Sequence, residues 1–132
     1  MLFTLENRKY FECSKEEREA LLPLIKSICE FAKIARSQGL LAIEDKLEGV
    51  EDDFLRYALL LVVDACDYDM VEKQLEIKAV ASQKTGVDLL RMIIITDCVL
   101  MLQNGINPRL IEERAVLFLG DDIGREDNHA DW

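Results

Sequence analysis

One histidine, one tryptophan and two prolines are spread over 132 residues, and none of the four cysteines forms a Cys-x-x-Cys pair. Each scarcity removes a class of chemistry. Nucleophilic catalysis needs a base beside the nucleophile. The single histidine, His129, sits in the C-terminal tail, so a Cys–His or Ser–His arrangement would require that tail to fold back. A zinc site needs clustered ligands, whereas Cys13, Cys29, Cys66 and Cys98 are scattered. Three of them lie in apolar helical runs, where a reduced thiol behaves as a small hydrophobe, and this is the usage of a cytoplasmic protein. The glycines stand singly and mark helix ends, leaving no phosphate cradle. No cofactor and no metal are expected, and the chain reads as non-enzymatic.

Basic residues are also in deficit: 16 against 26 acidic, a net charge of −10. Such a surface disfavours nucleic acid and anionic membranes. Long apolar runs are missing too. Leu55–Val63 is too short to span a bilayer, and Arg91 and Asp97 interrupt Leu89–Leu102, so no transmembrane segment is expected. The N-terminus turns polar by Glu6 and carries no signal-peptide core.

What remains is helical periodicity over one domain-sized chain. The expected fold is all-α, a single domain of about six helices in antiparallel hairpins. Residues 1–13 read as an arm or small hairpin, 14–119 as the helical domain, and 120–132 as an acidic flexible tail ending in Trp132. Ser14 and Glu17 form a capping box, and Pro23 then predicts a kink or a new helix opening around it. From Leu24 the apolar residues recur as Leu24, Ile28, Phe31 and Ala35, with Ile25 and Ala32 beside them, up to Gly39. A short helix comes next, with Leu40, Ile43 and Leu47 on one side. The helix after Asp52 or Asp53 is apolar in nearly every direction, which predicts a central position. Asp69 with Glu72 suggests the next cap, before a helix that turns Met70, Val71, Leu75 and Ala79 inward. Asn107-Pro108 opens the last helix. The units 54–79 and 92–117 read as one αα-hairpin used twice, offset by 38 residues from Asp69 to Asn107.

Asp64, Asp67 and Asp69 superficially suggest a calcium loop, but the D-x-D-x-D-G spacing and the terminal glutamate are missing. They read as helix caps. With Asp97 they are the carboxylates to inspect for any acid–base site.

One stretch carries a resemblance. Ala35-Arg36, Gly39-Leu40-Leu41-Ala42-Ile43-Glu44, Asp53-Phe54-Leu55-Arg56 and Leu61-Val62-Val63-Asp64 succeed one another in the order and spacing of a known loop. The segment 31–79 resembles the cytoplasmic loop of the MotA family of flagellar stator subunits, without the membrane helices. The resemblance implies a protein-interaction module that binds a flagellar rotor or stator component, or a related partner, through charged helix faces. It singles out Arg36 and Glu44 as partner-binding residues, since charges of this loop meet opposite charges on the rotor's switch-complex protein. Two structural roles compete with that: a turn at Gly39 that pairs Arg36 with Glu44, or a local pair between Glu44 and Arg56. The sequence departs from the family at Ala65-Cys66, where glycine is usual. The other functional class is a self-associating helical scaffold or adaptor unrelated to motility.

Overall fold

The computed structural model describes residues 1–123. Among them the chain forms seven α-helices and one 3-10 helix, with no strand. The all-α expectation is borne out. The elements are α1 (Arg8–Phe11), α2 (Lys15–Glu19), α3 (Leu22–Gln38), the 3-10 helix (Leu40–Gly49), α4 (Asp53–Val63), α5 (Tyr68–Ala81), α6 (Val87–Gln103) and α7 (Pro108–Phe118).

Residues 1–13 carry a short helix rather than a pair of strands. Phe3 stacks on Phe11 at 4.9 Å and meets Phe118 edge-on at 4.7 Å. Tyr10 accepts a hydrogen bond from the Gly86 amide at 2.7 Å, which ties the arm to the start of α6. The capping box forms as read: Ser14 Oγ accepts from the Glu17 amide and Glu17 Oε1 from the Ser14 amide. Pro23 opens a new helix, α3, in its first turn. The buried face of α3 is centred on Ile25, Ile28, Cys29 and Ala32, so three residues of the expected face are buried while Leu24, Phe31 and Ala35 are half-buried at its edge.

The central helix is α6, not α4. Phe54, Leu55, Ala58, Leu59, Val62 and Val63 of α4 are buried, but Asp53, Arg56 and Leu60 face solvent. By contrast α6 buries nine residues and packs against α1, α3, α4, α5 and α7. The C-terminal pair thus covers the apolar side of α3 and α4.

The two hairpins share one turn. After α4 the Cys66 amide donates to the Leu61 carbonyl and the Ala65 amide to that of Val62. After α6 the Ile106 amide donates to Met101 and the Gly105 amide to Leu102. Both are Schellman closures, which need a left-handed residue just past the helix. Gly105 supplies it at φ 72°, and Ala65 at φ 64°. The second helix is capped by Asp67 in the first hairpin and by Asn107 in the other. The cap is therefore Asp67 and not Asp69, and the offset between the units is 40 residues, not 38.

Of the segment read as an acidic tail, Gly120–Ile123 is described. Ile123 is fully buried and Asp122 pairs with Arg18 at 2.7 Å. His129 and Trp132 lie outside the described residues.

Candidate interaction surface

Arg36 stands in the last turn of α3 and is exposed. The chain then reverses at Gly39, whose φ of 92° and ψ of 161° suit glycine. The adjoining 3-10 helix buries Ile43 and Leu47 and turns Glu44 outward beside Asp45 and Glu48. Among the described residues neither Arg36 nor Glu44 has a hydrogen-bond or ion-pair partner. Both competing pairings are thereby removed. Arg56 is occupied elsewhere: it donates to the Val50 carbonyl and lies 3.5 Å from Asp53.

The aspartates inspected for acid–base chemistry do not converge. Asp67 accepts from the Met70 amide at 2.8 Å as a cap, while Asp64 and Asp69 are exposed. Asp97 lies on α6 in a different place. It borders a small cavity of about 130 Å³ with Glu72, Glu76, Thr96 and Arg114. Its carboxyl titrates above the usual range because burial penalises the charge, an effect that Arg114 opposes. Among the described residues no three Cys, His, Asp or Glu side chains are placed to hold a metal ion. Burial pushes Cys29 up to about 11 and Cys98 higher still, so neither is a ready nucleophile.

Two long-range clamps were not foreseen from sequence. Arg91, which in the sequence only interrupts an apolar run, reaches Asp52 at 3.1 Å and Asp88 at 2.7 Å. Since Asp52 also caps α4 through the Leu55 amide, this one carboxylate joins α4 to α6. Arg18 likewise donates to the Leu119 carbonyl and to Asp122. For Arg91 the available signal was a lone cation on a strongly apolar helix, which usually marks a partnered charge; Arg18, on the charged helix α2, gave no such signal.

The class defined by these features is an all-α helical domain. Comparison with known proteins finds relatives that match part of the chain. The chain is 40% identical over 53 residues to Motility protein A of Helicobacter pylori strain 26695, covering 40% of this chain and 21% of the relative. It is 33% identical over 75 residues to Motility protein A of Borreliella burgdorferi, covering 54% of this chain and 29% of the relative. These similarities support the MotA-like relationship. The chain spans between about a fifth and three tenths of the length of these curated relatives. No family model matches the chain, and no solved structure matches it. Among the described residues no helix is long and apolar enough to cross a membrane.

Proposed function

We propose that this domain is a non-enzymatic, cytoplasmic interaction module that binds a flagellar rotor component through Arg36 and Glu44. One observation carries the reading: two opposite charges, on adjoining elements within residues 31–79 that resemble the MotA loop, are exposed and have no partner among the described residues. Placed so, they are free for opposite charges on a binding partner, and such pairs set specificity and association rate.

The test is a binding titration against a flagellar rotor switch-complex protein. R36E and E44K are each expected to weaken binding by about tenfold or more, with the melting temperature nearly unchanged. Reversal of the matching charge on the partner should restore affinity. A large loss of stability in R36E would make the arginine structural. Absence of binding by the unaltered chain would remove the rotor from the proposal.

A further inference from the structure

α5 carries a face that no described part of the fold covers. Val71, Leu75 and Ala79 are buried against the body of the protein, whereas Met70, Ile77 and Val80 are exposed by 53%, 52% and 61%. The inward turn expected for Met70 is not taken. At about 100° per residue, Met70, Ile77, Val80 and Ala81 fall in one stripe about 100° wide, the width of a helix face that is normally buried, and it is crossed by the exposed Lys73, whose long stem can lie along apolar surface. The exposed Leu41 of the 3-10 helix and Leu60 of α4 stand singly by comparison. At its C-terminal end the stripe runs into a groove of about 320 Å³, lined by Leu2, Tyr10, Val80, Lys84 and Leu89 among others.

The two ends of the stripe carry opposite charge. Asp67 and Asp69 stand at its start and Lys84 just past its end. Among the described residues Asp69 and Lys84 have no side-chain partner, and Asp67 serves only as the cap. A helix acidic at one end and basic at the other complements itself when turned end for end. With a two-fold axis near Leu75, Met70 of one copy faces Val80 of the other, at the mouth of the groove. Asp67 and Asp69 then lie over the other copy's Lys84, and the symmetry repeats the contact. The helix dipoles also run opposed.

We propose that the α5 face seats a second copy of this chain, giving an isologous dimer joined by antiparallel α5 helices. The inference does not depend on the rotor reading. α5 packs on α4 and α6, while Arg36 and Glu44 belong to α3 and the 3-10 helix, so the dimer presents both pairs of charges to solvent.

Sedimentation of the full chain from micromolar to near-millimolar concentration tests it. The mass should climb from 15.1 kDa towards twice that value. I77D should remain monomeric with its melting temperature unchanged at low concentration, because the side chain is half exposed. K84E should weaken the dimer by about tenfold, and the double reversal D69K/K84E should restore it. A monomer at every concentration would overturn the proposal, including one that uses this face for a different protein. So would a dimer indifferent to both I77D and K84E.

Discussion

Ala65 holds a backbone conformation that its own side chain resists. Its φ of 64° lies in the left-handed region, which costs an L-residue roughly 1–2 kcal/mol. The Schellman closure of α4 demands it nonetheless, and the equivalent position after α6 is Gly105. A65G is therefore expected to stabilise the domain by about 1 kcal/mol, the strain relieved being offset only in part by the greater unfolded-state freedom of glycine. A rise in the chemical denaturation midpoint at unchanged slope would show it, and a fall would mean that the turn holds alanine without strain. The departure from glycine was visible in the sequence, but its cost was not, because φ is set by the two closing hydrogen bonds. Asp97 illustrates another kind of hidden cost. Its Oδ2 lies 2.8 Å from Arg114 Nε yet makes no aligned hydrogen bond, leaving the Oδ1 contact at 2.9 Å as the only aligned one. Burial wins over the arginine, so the folded-state carboxyl titrates above 3.8. A group raised in this way adds stability that is full below the unfolded value and is lost as pH rises through the folded one. The stability of the protein relative to D97N should accordingly be highest near pH 3 and decline towards neutrality. Thermal melts of the two proteins across that range check the sign, and the opposite trend would show Arg114 to be the stronger influence.

At the scale of elements, helix existence and order were legible because period and punctuation agreed: Ser14 with Glu17, Pro23, Gly39 and Asn107-Pro108 all act where they stand. The start of α5 was not. Asp67 and Asp69 are equally good caps by composition, and Glu72 three residues beyond Asp69 favoured the wrong one. The choice is made by the preceding turn. Once Ala65 closes α4, only Cys66 separates it from the next cap position, and Asp67 takes it as Asn107 does after Gly105 and Ile106. D67A should cost about 1 kcal/mol, the usual loss of an N-cap side chain. D69A should cost less than about 0.5 kcal/mol, the effect of an acid in the first turn. Denaturant titrations at low concentration separate the two, and equal losses would mean that the turn does not select the cap. Met70 is exposed for a different reason: at about 100° per residue it lies about 140° from Leu75, off the face formed by Val71, Leu75 and Ala79.

The arrangement of the whole molecule was least legible, because two helices of similar apolar content competed for its centre. Sequence favoured α4, but Leu60 interrupts its buried surface and Asp53 and Arg56 share that outer side. The longer α6 has apolar residues on enough sides to meet five neighbours, and its only arginine is held at the rim by Asp52 and Asp88. Residues 31–79, the stretch that resembles the MotA loop, therefore depend on the C-terminal helices α6 and α7 for their cover. Burying one large aliphatic side chain is worth roughly 1.5–3 kcal/mol, and a domain has only about 5–15 kcal/mol of net stability. α6 alone buries nine residues, Ile94 and Ile95 completely. A fragment of residues 14–84 would leave the α3, α4 and α5 faces open and should not fold cooperatively. It is expected to retain helical circular dichroism, to bind a hydrophobic dye and to melt without a sharp transition, whereas the full chain melts cooperatively and excludes the dye. If the fragment instead melted as sharply as the full chain and stayed monomeric, the first hairpin would carry its own core, and α6 and α7 would be an addition to that unit rather than the cover it requires.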